Sequence, residues 1–318
     1  MQGNKGVVIG GGTMGTNIAS IFVANGHDAE IVEPDREVRK NLEQRVTDSA
    51  LEIGLGMDLG DTRVVASVDD IDWSDAYLLI ECVSEILPLK QELFAQLEKV
   101  APRHLPLTSN SSGFPISRIA DNLETADRMV GLHFFMPAHL VPCVEVIVGE
   151  RSDLSVVDEV QSVMAQLGRK PVRVNKDIPG FLGNRMQGAL MREALALVDG
   201  GYATIEDIDT VVQYSFGFRF VAAGPLLQKD VSGIQTLHAS QSTIFPTLDN
   251  GTGPGPTIQR LQAENKTGMR TKEGFYHWDD EAIEATRAKY TRDLQRALEI
   301  LSNVSAYGTN QRDYLRED

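Results

Sequence analysis

The chain has only two cysteines in 318 residues, Cys82 and Cys143, far apart and forming no Cys-x-x-Cys. That argues against a structural disulfide, a zinc site or a dithiol redox motif, and predicts two half-buried core thiols with no metal bound. No stretch approaches the ~18 consecutive apolar residues of a membrane span, so no membrane partner is expected. Met1 to Gly6 run straight into an apolar strand, without the basic and long apolar segments of a secretory signal. That start predicts a cytoplasmic location. Positive charge is also short: 30 Lys and Arg stand against 45 Asp and Glu, a net charge of -15. Nucleic-acid binders carry a basic face, so nucleic acid is excluded as a partner. Phosphate-bearing cofactors are not excluded, because helix N-termini and backbone N–H groups bind phosphate without net positive charge. There is no internal repeat and no low-complexity segment.

What is present suits a globular protein: 42% hydrophobic and 24% charged residues, and length for two domains of about 100–200 residues each. Gly6-Val7-Val8-Ile9 reads as a buried strand. A glycine turn and a helix over 16–24 follow, then a second strand at 29–33. This βαβ unit implies a parallel sheet. Residues 36–60 read as polar helix. Further strands are predicted at 64–68, 77–80, 106–110, 128–133, 144–147 and 171–174, with helices near 88–100 and 154–167. After the turn Asp177-Ile178-Pro179-Gly180 the pattern is mostly helical, over 181–199, 204–215, 224–247 and 279–302. Thr204 with Asp207 reads as a capping box, and 250–256 as a Gly/Pro loop. The expected architecture is α/β. A doubly wound Rossmann-type parallel sheet over 1–177 is followed by a smaller all-helical domain over 178–318.

Gly10-Gly11-Gly12-Thr13-Met14-Gly15 fits G-x-G-x-x-G between a strand and a helix. Such glycines allow a tight turn, close approach of backbone to a pyrophosphate, and close helix–strand packing. Glu33 follows 18 residues after Gly15 at the end of the next strand. An acid there hydrogen-bonds ribose hydroxyls and repels a 2′-phosphate, which favours NAD over NADP. The candidate cofactor residues are therefore Gly10, Gly12, Thr13, Met14, Gly15 and Glu33.

Gly131-Leu132-His133-Phe134-Phe135-Met136-Pro137 leading to Val144-Glu145-Val146-Ile147 resembles a segment of the 3-hydroxyacyl-CoA dehydrogenase family. So do Ser109-Asn110-Ser111-Ser112, the stretch Asp177 to Arg185, Ala263-Glu264-Asn265-Lys266 and Glu273-Gly274-Phe275-Tyr276. The resemblance covers nearly the whole chain. It implies an NAD-dependent enzyme that interconverts a 3-hydroxy and a 3-oxo group, a homodimer built through the helical domain and, for CoA members, a place in fatty acid metabolism. It implies that His133 is the general base and Glu145 its partner. A histidine near its ordinary pKa of about 6.5 suits that task. By the same resemblance Ser112 contacts the reacting oxygen, and Asn184 contacts the substrate carbonyl or the histidine. Glu85 and Lys90, in the segment opened by Glu81-Cys82-Val83-Ser84-Glu85, lie near the nicotinamide ribose. His139, in the loop between base and partner, could face substrate.

The chain departs from the acyl-CoA pattern in two places. Met136 stands where those members carry Asn, and a thioether donates no hydrogen bond. Residues 36–60 are short, their basic residues Arg36, Arg39, Lys40 and Arg45 are balanced by acids, and no Lys or Arg occurs from Val46 to Thr62. Two segments, 81–85 and 140–145, look closer to the lambda-crystallin (L-gulonate 3-dehydrogenase) and carnitine dehydrogenase branch, whose members act on free hydroxy acids or small alcohols. Arg219 could pair with a substrate carboxylate. Three readings stay open here: a 3-hydroxyacyl-CoA dehydrogenase, a free hydroxy-acid dehydrogenase, and an NAD-binding structural protein with weak catalysis.

Overall fold

The computed structural model describes residues 3–56 and 58–302, which fall into two compact units dividing between Met186 and Gln187. The first unit opens with β1 (Lys5–Ile9), α1 (Thr13–Ala24) and β2 (Asp28–Val32). Helix α1 starts where the glycine turn ends and buries Ile18, Ile21 and Phe22. Two helices, α2 (Arg36–Arg39) and α3 (Leu42–Ile53), lead to β3 (Thr62–Val65). Helix α3 buries Leu42, Val46 and Ala50. That four-residue spacing puts them on one face, which packs against α1. Gly54, with φ +77°, ends the helix in a left-handed cap. Then come β4 (Ala76–Glu81), α4 (Leu87–Val100), β5 (Leu107–Ser109), α5 (Ile116–Ile119), β6 (Met129–Phe134), β7 (Cys143–Val148), α6 (Leu154–Gln166) and β8 (Lys170–Val174).

The eight strands form one sheet in the order β3-β2-β1-β4-β5-β6-β7-β8. Neighbours run parallel except β6 and β7, which are antiparallel with His133 opposite Glu145. The sheet is thus the expected doubly wound, mostly parallel one with a single antiparallel pair. The reason is the link: residues 135–142 are too few for the crossover of about a dozen or more residues that a parallel pair needs. The strand predicted over 64–68 ends early, at Val65, and turns into a short 3₁₀ turn over Val68–Asp70.

Alternation along the strands makes two cores. Val8, Ile31, Leu78, Ile80, Leu132 and Val146 face α1, α3 and α6. Val7, Ile9, Leu79, Leu107 and Ile147 face Phe94 and Leu97 of α4 and Ile116 and Ile119 of α5. Both faces are covered, as expected for a doubly wound sheet whose strands read as unbroken apolar runs.

After β8 the chain is helical. It comprises α7 (Gly183–Asp199), α8 (Ile205–Tyr214), α9 (Phe216–Phe220), α10 (Pro225–Ser232), α11 (Ile234–Ile244), α12 (Pro256–Ala263) and α13 (Asp280–Ser302). The Thr204–Asp207 capping box forms at the start of α8. The single helix expected over 224–247 is two helices and a 3₁₀ turn. Gly233 breaks it at φ +90°, a value that only glycine adopts freely. Helix α12, opened by Pro256 in its first turn, was not expected from the pattern. Helices α7 to α11 contain no fully buried residue. Large apolar side chains stand in solvent in this stretch: Tyr202, between α7 and α8, is 81% exposed, and Leu226 and Val231 of α10 are 83% and 82%. Among the described residues no helix is long and apolar enough to cross a membrane.

Candidate active site

The strand order reverses between β1 and β4, and a cleft of about 540 Å³ opens at the carboxyl ends of β1 to β4. This is where open α/β sheets bind ligands. Ile9, Gly10, Gly12, Glu33, Ala66 and Val83 are among its lining residues. Each glycine of the turn has its own reason to be there. Gly10 has φ +109°, and a Cβ on it would lie 2.9 Å from the Cys82 carbonyl oxygen. A Cβ on Gly15 would lie 1.8 Å from the Gly10 carbonyl oxygen, so α1 reaches the turn only without one. Gly12 is different: a Cβ there meets nothing within 4 Å. Gly12 and Thr13 are exposed and Met14 is half-buried at the start of α1. That leaves an open, electropositive helix end with bare backbone, which fits a dinucleotide pyrophosphate.

Glu33 sits half-buried just past β2. Its Oε2 accepts from the Gly11 amide at 2.8 Å and its Oε1 from the Asp35 amide at 2.8 Å. A carboxylate has about four acceptor sites, so Glu33 keeps capacity for ribose hydroxyls. The cleft therefore fits NAD on the shape of its turn and the donor–acceptor set around it.

His133, the penultimate residue of β6, has Nδ1 2.7 Å from Glu145 Oε2. Both side chains are buried. Directly opposed residues of an antiparallel pair share a face, so the register alone brings the two together. The other Glu145 oxygen, Oε1, accepts from the amides of Leu182 at 2.8 Å and Gly183 at 2.9 Å, at the start of α7. These amides are aimed by an unusual backbone. Phe181, fully buried, has φ +48°, a conformation that costs a non-glycine residue roughly 1–3 kcal/mol and persists only where the surroundings enforce it. Its ring lies 5.5 Å from the His133 ring, and the Phe135 ring packs edge-on at 4.9 Å. Burial on its own raises the Glu145 pKa; the bonds from His133 and the Gly183 and Leu182 amides outweigh it and hold the carboxyl below its ordinary value.

A second buried cluster underlies the cleft. Lys90 Nζ, 1% exposed, donates to Glu81 Oε1 at 2.7 Å and to the Val83 carbonyl at 3.3 Å, and lies 3.3 Å from Glu85 Oε2. Ser109 Oγ donates to Glu81 Oε2 at 2.6 Å. Ser111 Oγ donates to Glu85 Oε1 at 2.6 Å, and the Gly113 amide adds a bond at 2.9 Å. Burial raises the Glu85 pKa, while Ser111, Gly113 and Lys90 together bring it below the usual value. The Lys90 ammonium is thus engaged by protein oxygens, and Glu85, 38% exposed, is the outward member of the cluster.

The remaining expected site residues lie apart from these bonds. Ser112 is exposed and Asn184 half-buried in the first turn of α7, and neither hydrogen-bonds the His133–Glu145 pair. His139 is turned toward α3, with Nε2 2.8 Å from Glu52 Oε2. Arg219 is exposed on α9 in the second unit. Three groups were not singled out from the sequence. Glu81 anchors the lysine; a carboxylate closing the apolar run Ala76–Ile80 is the signal that it must be buried with a partner. Asn110 Oδ1 accepts from the Phe134 amide at 2.9 Å, beside His133. The Leu182 and Gly183 amides are backbone donors and leave no side-chain signature.

The model for the 3-hydroxyacyl-CoA dehydrogenase NAD-binding domain matches residues 5–178, and that for the 3-hydroxyacyl-CoA dehydrogenase C-terminal domain matches 180–278. The chain is 30% identical over 299 residues to 5-formyl-3-hydroxy-2-methylpyridine 4-carboxylate 5-dehydrogenase of Mesorhizobium japonicum, covering 92% of this chain and 97% of that protein. It is 32% identical over 293 residues to the mitochondrial hydroxyacyl-coenzyme A dehydrogenase of Sus scrofa, covering 85% and 90%. A crystal structure of a 5-formyl-3-hydroxy-2-methylpyridine 4-carboxylic acid 5-dehydrogenase, described as an NAD+-dependent dismutase, matches with a TM-score of 0.89 at 27% identity, over 95% of this chain and 99% of that one.

Two outcomes follow from the buried charges. Lys90→Met leaves Glu81 buried and unpaired, so it lowers stability by about 3–5 kcal/mol in denaturant unfolding. The depressed Glu145 pKa adds stability above the unfolded value of about 4.3, and that gain is lost as pH falls through the native value. The melting temperature of the wild type therefore falls toward that of Glu145→Gln on acidification below about pH 5, and the gap is widest near neutrality.

Proposed function

The chain belongs to the 3-hydroxyacyl-CoA dehydrogenase family, an NAD-dependent dehydrogenase of the hydroxyacyl-CoA or hydroxy-acid type, and we propose that it acts on a small free hydroxy acid with His133 as general base. The observation that carries the catalytic part is the buried 2.7 Å bond between His133 Nδ1 and Glu145 Oε2. With Nδ1–H donated to the carboxylate, Nε2 is the basic nitrogen. It takes the proton from the substrate hydroxyl, and Glu145 stabilises the imidazolium that forms. Bound NAD supplies the hydride acceptor. The two amides on Glu145 Oε1 keep that carboxylate charged and fixed while the proton moves. In this reading Gly10, Gly12, Thr13, Met14, Gly15 and Glu33 hold the cofactor. Glu85 meets the nicotinamide side, and Lys90 holds Glu85 from beneath. Ser112 and Asn184 meet substrate.

The free-acid part is supported by residues 46–62, which offer no lysine or arginine to CoA phosphates, a group that such a surface normally meets with positive charge. It is supported too by the match over 99% of a dehydrogenase named for a pyridine carboxylate. A second reading, a 3-hydroxyacyl-CoA substrate and a place in fatty acid metabolism, is supported by both family-model matches and by the Sus scrofa relative. A purely structural role is disfavoured by the intact His133–Glu145 pair.

The helical residues suggest a second copy. Helices α7 to α11 bury no residue fully, and an apolar groove lined by Leu190, Ala194, Val198, Ile205, Ile208 and Val212 runs between α7 and α8. Leaving that much apolar surface wet forgoes about 25 cal/mol for each Å², and a homodimer recovers it.

The substrate is decided by NADH formation on 3-hydroxybutyryl-CoA, free 3-hydroxybutyrate, L-carnitine, L-gulonate and 5-formyl-3-hydroxy-2-methylpyridine 4-carboxylate in parallel. Turnover is expected on a free acid, and turnover of the CoA ester alone overturns the proposal. His133→Ala is expected to lose at least ~100-fold in kcat with NADH affinity unchanged; a loss below ten-fold rules out the base role. Light scattering after size exclusion is expected to give twice the 34.9 kDa chain mass, and a monomer at micromolar concentration contradicts the dimer.

A further inference from the structure

Helix α3 brings a cation to the dinucleotide turn. Leu42 packs against Gly11 so closely that a Cβ there would lie 2.6 Å from Leu42 Cδ2. One turn further on, Arg45 is half-buried and its Nη1 lies 3.5 Å from the Gly11 carbonyl oxygen. That is a long bond, at the limit for N–H···O, and it leaves most of the five guanidinium protons without a strong acceptor.

The surrounding acids are occupied. Glu33 accepts from the Gly11 and Asp35 amides, Glu37 pairs with Lys40, and Asp48 accepts from the Gln44 amide, so none of them forms an ion pair with Arg45. Glu52, one turn or more along α3, bonds His139. Among the described residues Arg45 forms no ion pair. Arg39 makes the contrast, since its Nη1 is locked on the carbonyl oxygens of Glu33 at 2.7 Å and Pro34 at 2.8 Å.

The position is electrostatically unfavourable for a cation with no anion near it. Arg45 closes the first turn of α3, its amide donating to the Asn41 carbonyl, so it stands at the positive end of that helix. The positive end of α1 begins at Gly12, next to the carbonyl that Arg45 touches. Two helix N-termini and a guanidinium therefore converge on one place in a chain of net charge -15.

We propose that Arg45 is a further NAD-binding residue, its guanidinium taking a phosphate oxygen of the dinucleotide beside the Gly10–Gly15 turn. The inference rests on the NAD-binding role of the cleft and adds one side chain to it. The backbone supplies directional N–H groups, and Arg45 supplies the mobile charge that the backbone lacks. An arginine fits because its planar fork holds the Gly11 carbonyl with one N–H while others reach an oxyanion.

The test is binding, read by NADH fluorescence and by calorimetry with ADP-ribose and with adenosine, on the wild type, Arg45→Gln and Arg45→Lys. Wild-type binding of NADH establishes the cleft independently of Arg45. Arg45→Gln is expected to weaken NADH and ADP-ribose about ten-fold, the scale of one charge-assisted hydrogen bond. Adenosine, which has no phosphate, is expected to bind the variant as it binds the wild type. Arg45→Lys is expected to restore most of the loss. The wild-type affinity is expected to fall more steeply with KCl than that of Arg45→Gln, because salt screens the added charge. Unchanged ADP-ribose affinity in Arg45→Gln overturns the proposal. Equal weakening of adenosine and ADP-ribose also overturns it, since that marks a structural role for the side chain. A third overturning result is intact nucleotide binding with a raised KM for the hydroxy-acid substrate, which assigns the guanidinium to the substrate's anion instead.

Discussion

One carboxylate carries much of this architecture. Glu145 accepts from His133 through one oxygen and from the Leu182 and Gly183 amides through the other. A buried carboxylate needs its acceptor sites filled, since an unpaired buried charge is among the most costly things a fold can hold. Here the filling comes from three directions: the neighbouring strand β6, the positive end of α7, and a backbone held at positive φ by buried Phe181. Removing any of them exposes the others to the same electrostatic penalty. The antiparallel turn between β6 and β7, the tight bend at 179–182 and the entry into α7 are thus coupled through one side chain.

That coupling also explains the division of the chain. The two compact units separate at Met186 and Gln187, several residues into α7 and beyond the Asp177-Ile178-Pro179-Gly180 turn. The first turn of α7 stays with the sheet because its amides are ligands of Glu145. The Lys90 cluster is a matching device two strands nearer the sheet's switch point. There Glu81 closes β4, Ser109 closes β5 and Lys90 rises from α4, so three elements are fixed by one buried ion pair and its hydrogen bonds. Both clusters sit at the edge of the sheet where β4, β5 and β6 end and antiparallel β7 begins.

The Arg45 assignment belongs to the same logic. Backbone amides and helix ends give direction to a phosphate site but carry only partial charge. In so acidic a chain the full positive charges near the glycine turn come from α2 and α3, and of Arg39 and Arg45 only the latter is left without strong acceptors.

The sequence alone determined the parts governed by short-range rules. G-x-G-x-x-G between an apolar strand and a helix specifies its own turn, because Gly10 and Gly15 tolerate no Cβ at 2.9 and 1.8 Å from neighbouring carbonyls. Strand and helix periodicities located the sheet, and the Thr204–Asp207 box located the start of α8. The His133–Glu145 pair was suggested by the family resemblance of the segments that carry the two residues. Tertiary structure decided the rest. The direction of β7 followed from the length of a loop and the register from strand pairing, and that register is what set His133 opposite Glu145. Lys90 could be read as a surface cation until burial gave it Glu81. Ser111 rather than Ser112 turned inward because the loop after β5 closes on Glu85. The amides on Glu145 and the guanidinium beside Gly11 were invisible in one dimension. The first are backbone groups common to every residue, and the second is one of many arginines until packing of α3 on α1 chooses which of them meets the turn.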